Sequence, residues 1–240
     1  MHLSRRQVVG GGVAAAAFCA LSTPAFAQSA ARARPDRLSD LVINEVDPPF
    51  PPRPAPATVP ARPRADVDPF IDQRLVARAR AAFDRHRASL GRIETVGIVD
   101  FTKPSAESRF YLLDTNSGRV TRHLVAHGRG SDPAHTGFLQ RFSNRMGSEA
   151  SSNGAYVTGD YYPGRYGRSM RLRGLDHSNS NAEARAIVVH SAWYAERSML
   201  ASNNGMLGRS EGCFALPYSS LQEVLARLGP GHFLYADRLV

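Results

Sequence analysis

Apolar residues recur at helical spacing in two places along this chain, and between them the pattern is that of strands. From Asp68 onward, Ile71, Leu75, Val76, Ala79, Ala82, Phe83 and Leu90 fall three, four or seven positions apart. Asp68 is placed to cap that helix, Pro69 sits in its first turn and Gly91 stops it. Beyond Ile93 the period shortens, predicting strands over 95–101, 109–114 and 120–126, with a turn at Asn116-Ser117-Gly118. Further strands are expected over 155–158, 170–175, 186–190, 213–216 and 232–236, separated by Gly, Asn and Ser clusters. A second helix is read at Ser220-Leu221-Gln222-Glu223, a capping box. Leu221, Val224, Leu225 and Leu228 form its buried face and Gly229-Pro230 its stop. Strands dominate, so residues 68–240 read as one mainly β (α+β) domain, long enough for a full core and without internal repeats.

The residues before this domain have a different composition. Ser4-Arg5-Arg6-Gln7, an apolar run from Val8 to Leu21, and Ala25-Phe26-Ala27 read as a twin-arginine signal peptide over residues 1–27, cleaved after Ala27. The run is short for a membrane span, which needs about 20 apolar residues, and no stable span is expected after cleavage. Residues 28–67 are rich in Pro, Arg and Ala, as in Asp47-Pro48-Pro49-Phe50-Pro51-Pro52, and read as a semi-rigid tether within which Leu41-Val42-Ile43 could dock as a short strand. The formal charge of +9 falls by two, to +7, once Arg5 and Arg6 are removed. The arginines are spread along the chain and no basic helix carries base-reading side chains. That argues against a nucleic-acid partner and for a polyanionic envelope surface, or for solubility alone.

Cleavage also removes Cys19, which leaves Cys213 with nothing in its own chain to form a disulfide. By itself a lone Cys is most often an inert core thiol, and a lone His a satisfied core residue. Here His190 ends the apolar run Ala186-Ile187-Val188-Val189, and Cys213 stands in Ser210-Glu211-Gly212-Cys213-Phe214. Together they match a nucleophile and its base, a pattern that leaves several Cys/His hydrolase types open. The Ser191 backbone carbonyl or its hydroxyl could hold the imidazole tautomer. Gly212 lets substrate approach, and amides near Gly212 and Cys213 could form an oxyanion hole. Glu211, two residues before the thiol, could raise its pKa or attract an ammonium group. His123, His127 and His177 lack ligand spacing and read as surface or groove residues, so neither a metal nor another cofactor is expected.

Val189-His190-Ser191-Ala192-Trp193-Tyr194 and Gly208-Arg209-Ser210-Glu211-Gly212-Cys213-Phe214-Ala215-Leu216 resemble the catalytic core of the YkuD-like L,D-transpeptidases, and more narrowly the murein L,D-transpeptidase catalytic-domain branch. Val99-Asp100-Phe101-Thr102-Lys103-Pro104-Ser105, Val125-Ala126-His127-Gly128-Arg129-Gly130-Ser131 and Ser152-Asn153-Gly154-Ala155-Tyr156 are similar to it too, over roughly residues 70–238. The resemblance implies a β-sandwich with an N-terminal helix and a helix after the catalytic Cys. It also implies Cys213 as nucleophile, His190 as base and the Ser191 carbonyl as its partner. Gly212, Ser210, Glu211, Arg209 and Tyr156 would serve substrate or oxyanion, and peptidoglycan stem peptides would be the substrate in the periplasm or envelope. The wider family carries Ser/Thr-His-Gly-Cys with Arg or Asn two residues after the Cys, whereas this chain has Glu211 and Ala215 at those places. The 22 residues between His190 and Cys213 exceed the family's usual gap, predicting a longer loop with Ser202-Asn203-Asn204-Gly205 beside the site. An L,D-carboxypeptidase, another thiol peptidase of the envelope and a catalytically silent wall-binding module are the alternatives.

Overall fold

The computed structural model describes residues 71–240; the signal segment, the Pro-rich stretch, Cys19 and Asp68-Pro69 lie outside the described residues. Helix α1 spans Gln73–His86, and its cap is Asp72, whose Oδ1 accepts from the Arg74 amide at 2.8 Å. Leu75, Ala79 and Ala82 share one face and are buried, with Ile71, against Val96, Ile98, Tyr111, Phe233 and Tyr235. A turn of 3-10 helix, Arg87–Ser89, ends the segment.

Eight strands form one sheet: β1 (Thr95–Asp100), β2 (Phe110–Asp114), β3 (Val120–His123), β4 (Gly154–Gly164), β5 (Gly167–Gly174), β6 (Val188–Ser191), β7 (Phe214–Leu216) and β8 (Phe233–Asp237). Their order is β3-β2-β1-β8-β4-β5-β6-β7. Most neighbours run antiparallel, but β1 lies parallel to β8 and β6 parallel to β7. Ala126, just beyond β3, pairs with Ala215 of β7, its amide 2.8 Å from the Ala215 carbonyl. The two ends of the sheet therefore meet, and its edges are covered there rather than left open. Val99, Phe101, Phe110, Leu112, Tyr156 and Phe214 fill the space enclosed, together with Leu221, Val224, Leu225 and Leu228 of the C-terminal helical segment.

Several expected boundaries move. The β4–β5 hairpin is longer than its periodic pattern, because pairing resumes after an irregularity between Thr158 and Tyr161 and carries on through Pro163 and Gly164. A short helix α2, Met199–Ser202, appears in the long connection after β6. Helix α3 spans Tyr218–Arg227 and starts after Pro217, so Ser220 lies inside it and the expected capping box does not form. The start is fixed from a distance: the Tyr218 amide donates to Glu196 Oε1 at 2.7 Å, while Glu223 pairs with Arg227 at 3.1 Å. Among the described residues no helix is long and apolar enough to cross a membrane.

Candidate active site

Parallel pairing of β6 with β7 sets His190 opposite Ala215, and Cys213 directly precedes β7. Residues 23 positions apart are thus brought together, one on β6 and the other directly before β7, with the whole connection looping out between them. His190 is buried, its ring stacked on Tyr166 at 5.2 Å between centroids. Its Nδ1 lies 2.9 Å from the Ser191 carbonyl. A carbonyl only accepts, so Nδ1 carries the proton and Nε2 keeps its lone pair. Burial pushes the His190 pKa down, partly opposed by that hydrogen bond.

Cys213 is partly exposed. Its thiol donates to the Ala186 carbonyl at 3.5 Å, and no hydrogen bond joins Sγ to His190. Burial pushes the thiol pKa up; contact with the Val188 backbone lowers it, Glu211 raises it further and Arg185 lowers it. Both shifts favour the uncharged forms, so the resting site holds a neutral thiol and a neutral imidazole rather than an ion pair.

The turn that presents the thiol is tied on every side. Ser210 Oγ donates to the Cys213 carbonyl at 2.7 Å and accepts from the Gly212 amide at 3.2 Å. The Ser210 amide donates to the His127 carbonyl at 2.9 Å, and the Arg129 amide to the Ser210 carbonyl at 2.8 Å. Gly212 has φ +114°, and a Cβ there would stand 2.8 Å from the Ala150 carbonyl oxygen. A Cβ on Gly128 would come within 2.7 Å of Gly212 Cα, so two glycines permit this contact.

The other residues singled out in the sequence take varied places. Glu211 is exposed, 3.5 Å from Arg129, which is itself paired with Glu149. Arg209 turns its guanidinium to the Asp132 and Pro133 carbonyls and braces that loop. Tyr156 does not line the site: it is fully buried, donates to the Ser152 carbonyl at 2.8 Å and meets Phe214 edge-on at 5.6 Å, supporting β7 from the core. The Ser191 hydroxyl donates to the Tyr166 carbonyl at 3.3 Å, so it is the Ser191 carbonyl that holds His190. Ser202-Asn203-Asn204-Gly205 packs toward His135, with Asn203 Nδ2 3.1 Å from the Met206 carbonyl. His177 is exposed, His123 is largely buried but lines a small groove with Arg122, Glu196 and Pro217, and His127 is buried rather than lining a surface or groove. His127 Nδ1 accepts from Arg109 at 2.7 Å. Among the described residues no three His, Cys, Asp or Glu side chains are grouped to hold a metal ion.

Arg185 escaped the sequence reading. Its Nη1 donates to the Ser143 carbonyl at 2.6 Å and to Ser152 Oγ at 2.7 Å, and Nη2 donates to the Ala150 carbonyl. Nη2 also lies 3.3 Å from the place a Gly212 Cβ would occupy. It is a cation beside the nucleophile turn, delivered by the segment before β6, where the residue two after the Cys is Ala215 rather than Arg or Asn. One arginine among many carries no pattern that marks it. Ala215 is small because it is buried with Leu124, Ala126, Ala192, Ala195 and Leu207, beneath the long connection. Tyr166, Tyr194 and the exposed Trp193 form an aromatic wall on the His190 side, with Tyr166 and Tyr194 6.2 Å apart between centroids.

Residues 68–236 match the family described as the L,D-transpeptidase catalytic domain. No curated protein sequence matches the chain. Among solved structures, an L,D-transpeptidase from Mycobacterium smegmatis is 14% identical, with a TM-score of 0.36 over 60% of this chain and 58% of that one. One from Mycobacterium tuberculosis H37Rv is 13% identical, with a TM-score of 0.38 over 60% and 57%. One from Xylanimonas cellulosilytica is 16% identical, with a TM-score of 0.36 over 66% and 68%. The chain thus spans somewhat under two thirds of the two mycobacterial proteins. The family match takes in the sheet except for the last residue of β8, together with the His190 and Cys213 segments, and the chain belongs to the L,D-transpeptidase catalytic-domain family.

Proposed function

We propose that the protein is an exported, cysteine-dependent peptidoglycan L,D-transpeptidase working in the periplasm or cell envelope. The observation that carries this reading is the pairing of β6 with β7. It sets an imidazole of fixed tautomer beside a partly exposed thiol on a braced turn. Cys213 Sγ gives its proton to His190 Nε2 and bonds to the diaminopimelate carbonyl carbon of a donor stem tetrapeptide. The amide bond to the terminal D-alanine breaks and His190 protonates the departing amine, leaving a thioester. The amine of a second stem attacks that thioester, His190 takes its proton, the C–S bond breaks and the thiol is restored. Water in place of the amine gives an L,D-carboxypeptidase. The Gly212 amide is engaged with Ser210, so the donor we assign to the oxyanion is the Cys213 amide. The Ser4-Arg5-Arg6-Gln7 pattern, read as a twin-arginine signal, and the net positive charge, suited to a polyanionic wall, support the location.

The test is incubation with purified tetrapeptide muropeptides and identification of the products by mass. A covalent adduct on Cys213, cross-linked products, and their loss in Cys213→Ala and His190→Ala are expected. Full activity in Cys213→Ala overturns the mechanism. A catalytically silent wall-binding module is favoured by one contact, that of the thiol with the Ala186 carbonyl instead of His190. Resistance of Cys213 to alkylation near neutral pH would support that module.

A further inference from the structure

The loop 141–150 borders an open polar cavity of about 360 Å³, lined by Arg141, Ser143, Arg145, Met146, Ser148 and Ala150 among others. Ala150 connects it to the nucleophile turn, since its carbonyl oxygen is the atom a Gly212 Cβ would strike at 2.8 Å. Ser143 and Ala150 both hold Arg185 through their carbonyls. Arg141 directs Nε to the Gly130 carbonyl at 2.9 Å. Neither Arg141 nor Arg145 forms an ion pair among the described residues, and the nearby Glu149 is committed to Arg129. Ser148 Oγ is buried without a hydrogen-bond partner. A buried hydroxyl left unpaired costs about 1–3 kcal/mol. Two uncompensated guanidinium groups and a hydroxyl lacking an acceptor, around one cavity, have the complementarity of a carboxylate site.

We propose that this cavity is a subsite for a free carboxylate of the stem peptide, anchoring it beside the turn that carries Cys213. The proposal rests on the murein reading above for the identity of the peptide. The test is equilibrium binding of a synthetic diaminopimelate tetrapeptide to the intact Cys213→Ala chain, with its carboxylates free and with them amidated. The same titrations are run with Arg141→Gln and Arg145→Gln added. Both arginines are exposed, so these substitutions leave the core alone, and an unchanged Tm verifies it. Amidation is expected to weaken binding about tenfold, the double substitution by a similar factor, and the two together by little more than either. Equal binding of the free acid by the doubly substituted protein, or indifference of the parent to amidation, overturns the subsite. Turnover with Cys213 restored separates the two readings. Product formation with unchanged KM in the Arg141→Gln/Arg145→Gln protein overturns the subsite alone, whereas no binding and no turnover by the parent overturns the murein reading and the subsite with it.

Discussion

Replacing Arg185 by Met keeps most of the side chain's length and removes its charge and its donors. The guanidinium spans the Ser143 carbonyl at 2.6 Å, Ser152 Oγ at 2.7 Å and the Ala150 carbonyl, all on the wall behind Gly212. Hydrogen bonds to charged groups contribute about 1.5–3 kcal/mol each. Arg185 is partly exposed, so water replaces part of this set. A net loss of about 2–3 kcal/mol follows, or roughly 5–10 °C in Tm. The charge also acts on the thiol. Burial raises the Cys213 pKa most, the Val188 backbone lowers it, Glu211 raises it and Arg185 lowers it; neutral His190 and the Tyr194 phenol add no positive charge nearby. Loss of that opposite charge raises the thiol pKa and leaves less thiolate at neutral pH. The assay is the iodoacetamide alkylation rate of Cys213 against pH, read by mass on the peptide that contains it. The midpoint is expected at higher pH in Arg185→Met and close to the parent in Arg185→Lys, which keeps the charge and loses the three-way bracing. Superimposable parent and Met profiles refute the electrostatic role, as does a Lys midpoint displaced as far as that of Met.

Other perturbations give separate checks. Gly212→Ala puts a Cβ 2.8 Å from the Ala150 carbonyl oxygen at φ +114°; a stability loss of about 1–3 kcal/mol is expected, with acyl-enzyme formation about 100-fold slower because the thiol shifts. Near-parent acylation in that variant counts against the close-packed turn. Glu211→Gln removes the like charge beside the thiol and moves the alkylation midpoint to lower pH with the maximal rate retained; complete loss of turnover contradicts this. Burial and Arg109 hold the His127 pKa below the ordinary value, whereas an unfolded His titrates near about 6.5. The unfolded chain therefore takes up the proton first, and this contribution to stability is present above about pH 6.5 and lost progressively as pH falls toward the folded value. A Tm series from about pH 8 to 4 is expected to decline below about 6.5, and a flat profile would show that His127 is not held neutral.

What the sequence determined about this protein is what local pattern can carry. The spacing of Leu75, Ala79 and Ala82 marks the buried face of α1, and short-period runs mark the strands, because each records which side of an element meets the core. His190 and Cys213 stand out through residue type and framing, which a chain shows without folding. The capping box at Ser220 was misleading for the converse reason: it is a local competitor, displaced when Glu196 from another segment takes the Tyr218 amide. Tyr156 lay in a stretch that resembles the family, yet only the packing of Phe214 decides that its ring faces inward. Pairing of Ala126 with Ala215, the turning of the Ser191 hydroxyl to the Tyr166 carbonyl and the placing of Arg185 behind Gly212 all join residues far apart in the chain. Periodicity reports which face of an element is buried and not which neighbour buries it, so these contacts exist only once the sheet has closed on itself.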